Sequence, residues 1–228
     1  MRINKFLAKC GLGSRRKCDK FVSDGLIRIN GNIITDHSFQ VRDSDYVLYK
    51  NKILNIINED YLYILNKPRG YVCTASDPKN RKKVIDLIPT DIRLFTIGRL
   101  DYNSTGLILL TNNGDISNSL LHPKNKIVKK YYVETDKKLE KSDLNLIKKG
   151  ILSNDVGIMK ANVKLLDSDK NKYIWNVEVF EGKNREIRRI FKHFDISVKK
   201  LHRYQFANIK LGNIKSGSYK RISYKLVK

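Results

Sequence analysis

Three cysteines, four prolines and one tryptophan in 228 residues leave several architectures without material. Cys10, Cys18 and Cys73 are too few and too scattered for a disulfide framework or a zinc site. A reducing compartment suits them. No stretch of about 20 apolar residues is present to cross a bilayer. The start, Met1-Arg2-Ile3-Asn4-Lys5, lacks the apolar segment of a secretory signal. A cytoplasmic protein away from membranes is therefore expected. Repeats and low-complexity linkers are missing too. Acid is scarce: 23 Asp+Glu face 46 Lys+Arg, a net charge of +23. That much charge opposes compaction unless a polyanion offsets it. It is also uneven. Residues 1–58 hold 11 cations and 5 anions, net +6, whereas residues 183–228 hold 14 and 2, net +12. A clustered excess points to a nucleic-acid face. The apolar fraction, 41%, suffices for a folded core in one or two domains.

In the first 58 residues, Ile3, Phe6, Leu7 and Cys10 have helical spacing, and Gly11 and Gly13 end that helix. Ser14 is suited to cap a second helix, with Arg15, Arg16, Lys17 and Lys20 on its polar side and Cys18, Phe21 and Val22 inward. Gly25 stops it. Ile27 to Ile33 reads as a hairpin around Asn30-Gly31. These strings, Asn4-Lys5-Phe6-Leu7, Gly11-x-x-Ser14-Arg15-Arg16 and Ile27-Arg28-Ile29-Asn30-Gly31, resemble the S4 RNA-binding domain. The resemblance implies phosphate contacts from Arg15, Arg16, Lys17, Lys20 and Arg28, which position RNA without reading its sequence. The polar stretch Asn51 to Asp60 places the boundary, giving domains 1–58 and 59–228.

Beyond it, Tyr61 to Leu65 reads as a strand running into the turn Asn66-Lys67-Pro68-Arg69-Gly70. Residues 76–84 make a basic loop, followed by one helical turn from Val84 to Ile88. Then comes Gly98-Arg99-Leu100-Asp101-Tyr102-Asn103-Ser104-Thr105-Gly106-Leu107, a loop with one carboxylate between two apolar runs. Taken alone, Asp101 reads as a turn residue capping local amides. Alternation in Lys129-Lys130-Tyr131-Tyr132-Val133 puts Tyr131 and Val133 on one face and Tyr132 on the other, with Tyr132 the better core tyrosine. Ser142 to Lys149 reads as an amphipathic helix. Trp175, Val177 and Val179 share a strand face, Trp175 as packing rather than as a base-stacking platform. In Gly182-Lys183-Asn184-Arg185-Glu186-Ile187-Arg188-Arg189, Asn184 is the candidate cap, and Ile187, Ile190, Phe191 and Phe194 form the apolar face. An inward Arg188 needs an anion, and Asp101 is the candidate, with Arg185 or Arg189 left on a solvated basic face.

Together the Asp101 loop, the Lys129-x-Tyr131-x-Val133 string, the Asn184-Arg185-Glu186-Ile187-Arg188-Arg189 string and Leu201-x-Arg203 resemble the RsuA/RluB group of pseudouridine synthases over nearly the whole chain. The implied fold is α+β: a small helix-helix-hairpin S4 domain, then a synthase domain with a central, mostly antiparallel sheet flanked by helices. The resemblance implies Asp101 as nucleophile, Arg188 pairing with it and Tyr131 against the target base. It implies Arg99 filling the space that a flipped uridine leaves, and RNA contacts from Lys67, Lys183, Arg185, Arg189 and Arg203. No metal or organic cofactor is implied. The expected partner is structured ribosomal RNA, free or in pre-ribosomal particles, met by a monomer. The Arg-Glu-Ile-Arg-Arg form looks like the large-subunit branch. The alternatives are a small-subunit or tRNA-accepting relative and, from another class, a non-catalytic RNA-binding assembly factor. A DNA-binding reading has charge in its favour but no recognition-helix motif.

Overall fold

The computed structural model describes residues 1–226, which divide into two compact units: Met1–Asp60 with Thr90–Arg93, and Tyr61–Pro89 with the chain from Leu94 onward. In the first unit, α1 (Ile3–Lys9) and α2 (Arg15–Ser23) precede a four-stranded sheet ordered β2-β1-β3-β4. Its strands are β1 (Ile27–Ile29), β2 (Asn32–Ile33), β3 (Val47–Tyr49) and β4 (Lys52–Ile53). Ser14 caps α2 as expected, its Oγ accepting from the Lys17 amide at 3.2 Å. Asn30 and Gly31 both take positive φ, 51° and 88°, the backbone that a two-residue turn between twisted strands requires. Ile3, Leu7, Cys18, Val22, Ile27 and Val47 are buried together as this unit's core.

The second unit is built on a nine-stranded sheet. Its main path runs β11-β12-β8-β13-β7-β5-β15. In chain order the strands are β5 (Leu62–Lys67), β6 (Phe95–Ile97), β7 (Thr105–Thr111), β8 (Lys129–Thr135), β11 (Asn162–Asp169), β12 (Lys172–Val179), β13 (Val198–Phe206), β14 (Ile209–Lys210) and β15 (Tyr219–Arg221). A separate hairpin of β9 (Ile151–Ser153) and β10 (Gly157–Met159) stands outside it. The pairings are antiparallel except β13 with β7. Among the described residues three α-helices accompany these strands: α3 (Gly114–Leu121), α4 (Lys141–Lys149) and α5 (Glu186–Lys192).

The apolar run Leu107–Leu110 is fully buried, as a central strand covered on both faces must be. Each such side chain contributes about 1.5–3 kcal/mol through burial. The parallel pair β13–β7 sets His202 opposite Thr105 and Arg203 opposite Gly106. Gly106 has φ +101°, and a Cβ there would lie 2.2 Å from the Arg203 carbonyl oxygen. Only glycine lets the two backbones approach so closely. This contact seats the end of the Asp101 loop against β13.

Trp175 is core, as read from its spacing: it is buried, donates through Nε1 to Thr135 Oγ1 at 2.9 Å, and packs near Phe191. The two tyrosines of β8 correct the sequence reading. Tyr131 is the buried one, while Tyr132 is 45% exposed and stacks on Tyr204 with ring centroids 4.3 Å apart. Alternation separates the two residues but does not say which face of the sheet is covered.

Candidate active site

Asp101 sits in the loop between β6 and β7, and residues 67–73 pin that loop from behind. Lys67 Nζ donates to the carbonyls of Ser104 at 2.7 Å, Pro68 at 3.1 Å and Tyr102 at 3.3 Å. The Gly70 amide donates to Tyr102 O at 3.0 Å. Arg69 Nε donates to Asn103 Oδ1 at 3.2 Å, and the Leu100 amide to Cys73 Sγ at 3.4 Å. Within the loop, the Ser104 amide donates back to Asp101 O at 3.0 Å. The carboxylate itself remains about one-third exposed. Two guanidiniums face it: Arg185 Nη1 lies 3.4 Å and Arg188 Nε 3.6 Å from Asp101 Oδ2. The two guanidiniums fix the direction of the carboxylate.

Both arginines are delivered by the entry to α5. The expected Asn184 cap is not used. Arg185 stands at the N-cap without a side-chain cap bond, and Glu186 braces the loop before the helix instead, its carboxylate accepting from the amides of Gly182 at 2.9 Å and Lys183 at 3.1 Å. Burial pushes the Glu186 carboxyl up, and those two amides oppose the shift. Arg185 is held at φ 51°, a left-handed conformation uncommon outside glycine. Arg188 is anchored by an Nη1 bond to Val198 O at 2.9 Å. Burial lowers its pKa, with Arg185 adding to the shift and Asp101 opposing it.

Beside Asp101 lies a cavity of about 110 Å³, the room of a few waters. Tyr131, Lys129, Arg203, Ile187, Leu201 and Phe206 are among the residues that line it. It shares Gly98–Asp101 and Gly182, Lys183 and Arg185 with a wider cleft of about 550 Å³, whose outer wall includes Thr74, Asp77 and Arg81. A small, half-open chamber beside a broad polar cleft suits one nucleobase and its flanking chain.

Asp101, Tyr131 and Arg188 are thus brought together as expected, though Arg185 also reaches the carboxylate and is more than a solvated cation. Arg189 pairs at 2.7 Å with the exposed Asp155. Arg99 is exposed and lines both chambers. Lys183, also in the wall, pairs with Glu181 at 2.9 Å. Arg15, Arg16, Lys17, Lys20 and Arg28 are exposed on the first unit. Two expectations are corrected. Lys67 is fully buried and Arg203 is 3% exposed, so neither meets an RNA backbone at the surface. The reason for Lys67 is its trio of carbonyl acceptors. Arg203 Nε donates to Leu107 O at 2.7 Å, and its guanidinium lies over the Phe206 ring. Sequence reading passed over Lys129, Arg69 and Glu186. The Lys129 position, two before Tyr131 on the same strand face, was the available signal.

The models of two families match: RNA pseudouridylate synthase over residues 61–193 and the S4 domain over residues 1–47. The chain is 37% identical over 216 residues to the ribosomal large subunit pseudouridine synthase B of Bacillus subtilis, covering 92% of this chain and 87% of that one. It is 36% identical over 219 residues to the protein of the same name from Buchnera aphidicola, again covering 92% and 87%. A solved pseudouridylate synthase superposes with a TM-score of 0.70 at 27% identity, over 99% of this chain and 97% of that one. The chain belongs to the RNA pseudouridylate synthase family, as a member with an S4 domain ahead of its synthase domain.

Proposed function

We propose that this pseudouridine synthase isomerises a uridine of large-subunit ribosomal RNA, with Asp101 as nucleophile. The observation that carries the mechanism is the Asp101 carboxylate, faced by Arg185 and Arg188 and bordering a base-sized cavity that Tyr131 lines. The names of the relatives that match along most of their length support the substrate. The target nucleotide leaves its stack, at a cost of a few kcal/mol, and its base enters the cavity. Arg99, exposed at the cavity mouth, occupies the space left behind. The C1′–N1 bond breaks while Asp101 engages the nucleotide. The uracil turns without leaving, C5 bonds to C1′, the C5 proton is lost and N1 gains one. Tyr131 contacts the ring. Arg15, Arg16, Lys17, Lys20 and Arg28 of the S4 domain, with Lys183, Arg185 and Arg189, hold phosphates, so affinity falls steeply with salt. The enzyme acts as a monomer in the cytoplasm.

Pseudouridine mapping tests this. Carbodiimide-dependent stops are read along both ribosomal RNAs from cells with the wild-type protein and with Asp101→Asn. One large-subunit stop that vanishes in the mutant is the expected result. A small-subunit stop would move the substrate. Identical maps would refute Asp101 as the nucleophile on ribosomal RNA and leave an RNA-binding role.

A further inference from the structure

Two buried cations in the cavity wall lie outside the Asp101 constellation. Lys129, on β8, is 5% exposed, and its Nζ has only the carbonyls of Phe180 and Glu181 as acceptors, each at 3.2 Å. Arg203, on neighbouring β13, spends Nε on Leu107 O; its Nη1 lies 3.5 Å from Tyr131 Oη, and its buried Nη2 has no partner. Both side chains border the ring of Phe206, Lys129 Nζ at 5.6 Å and the Arg203 guanidinium at 5.1 Å from its centroid. Among the described residues, no ion pair joins either cation to a carboxylate. Buried Glu186 is committed to the amides of Gly182 and Lys183.

Such a pair is costly. Burial, and then the charge of Arg203, pulls the Lys129 ammonium down to about 8, against the opposing charges of Glu186 and Glu181. A buried charge that no carboxylate pairs directly, in the wall of a cleft, is a candidate to meet an anion there. Neutral uridine is not that anion, but the ring becomes one during the reaction. We propose that Lys129 and Arg203 form a cationic wall that takes up the negative charge of the uracil ring as its bond to the sugar breaks. This rests on the proposed function. When C1′–N1 breaks, the bonding electron pair stays with the ring, spread over N1 and its two carbonyl oxygens. The wall holds that charge until C5 bonds to C1′, the C5 proton departs and N1 is protonated. Fixed, buried cations stabilise developing charge with no reorganisation at the moment of reaction.

The test separates charge stabilisation from packing. Lys129→Met keeps the buried stem and removes the charge; Lys129→Gln replaces it should that variant not fold. Single-turnover breaking of the C1′–N1 bond, read as loss of the N-linked nucleoside, is measured on the transcribed target ribosomal RNA, made once with uridine and once with 5-fluorouridine, whose C5 carries no proton to lose in the later steps. Fluorine withdraws electrons and stabilises the ring anion by itself. The expected loss is about 100-fold on uridine, and at least tenfold smaller on 5-fluorouridine. RNA affinity should be unchanged within about threefold and Lys129→Arg should retain most of the uridine rate, because the wall acts only as charge develops. Equal losses on both RNAs, or full activity of Lys129→Met on uridine, would overturn the wall. Wild-type protein inactive on both RNAs would overturn the proposed function, and the wall with it.

Discussion

Lys67→Met is the perturbation that best separates a surface cation from an internal one. Methionine keeps the unbranched stem and loses three donors. The acceptors are Ser104 O at 2.7 Å, Pro68 O at 3.1 Å and Tyr102 O at 3.3 Å. A hydrogen bond from a charged donor is worth about 1.5–3 kcal/mol, and the shortest of these is the most valuable. Tyr102 O keeps the Gly70 amide, so its loss is partial. Against this stands the cost of burying the ammonium, which is what lowers the Lys67 pKa. The variant recovers that cost. The balance is a destabilisation of about 2–4 kcal/mol, the lost charged hydrogen bonds outweighing the recovered burial cost. For a protein of this length that lowers Tm by roughly 5–15 °C. The same bonds hold Tyr102 to Ser104 next to Asp101. A displacement of about 1 Å there reduces the chemical rate by about 100-fold. Thermal unfolding followed by circular dichroism, and single-turnover kinetics at saturating RNA, read the two effects. An unchanged Tm and saturated rate, with weakened RNA binding alone, would refute this reasoning and return Lys67 to the RNA contacts.

Gly106→Ala should be among the most damaging single-methyl additions, because its Cβ would meet the Arg203 backbone at 2.2 Å and φ is +101°. Strain and overpacking together come to about 3 kcal/mol or more, and a fall in Tm of only one or two degrees would contradict the close β7–β13 contact. In the first unit, burial pushes the Cys10 thiol up to about 12 and the Cys18 thiol up to about 11. At pH 8 the native protein should therefore react with a disulfide reagent at Cys10 and Cys18 at least about 100-fold more slowly than the unfolded chain, whose thiols titrate near 8.5; comparable rates would refute the assignment. Arg189→Ala breaks an exposed pair with Asp155, so stability should change by less than about 0.5 kcal/mol. RNA binding should weaken and its salt dependence lose about one unit of slope; an unchanged slope would remove Arg189 from the interface.

What was readable from the chain follows from what local chemistry determines. The Ser14 cap and the Asn30-Gly31 turn need only neighbouring residues, and both appear where their side chains and backbones demand. The meeting of Asp101 with Arg188 was readable because long motif strings carried it. Its geometry adds something that no string contains. Arg185, held in a left-handed conformation, turns its guanidinium toward the same carboxylate. The choice between Tyr131 and Tyr132 fell the other way for the core because alternation sorts residues onto faces but does not say which face is covered. The expected Asn184 cap failed for a related reason: the helix starts one residue later, at an N-cap Arg185 with no side-chain cap bond, and Glu186 turns back to two amides of the preceding loop.

The hardest feature to read was charge that is not on the surface. The net charge of +23 points outward, to a polyanion. Yet Lys67, Lys129 and Arg203 are each no more than 5% exposed. A letter in the sequence reports a cation; it does not report the carbonyls gathered around it. Apart from that of neighbouring Pro68, those carbonyls come from Ser104, Tyr102, Phe180, Glu181 and Leu107, residues distant in the chain that the fold brings into reach. Burial of an ammonium or guanidinium against neutral acceptors costs stability. All three sit against the Asp101 loop or the cavity beside it. In the proposed function the exposed cations of the S4 helix and of α5 bring RNA to the protein. Lys67 holds the Asp101 loop, and Lys129 and Arg203 line the cavity proposed for the base. On that reading, excess positive charge belongs to the chemistry as well as to the docking of RNA.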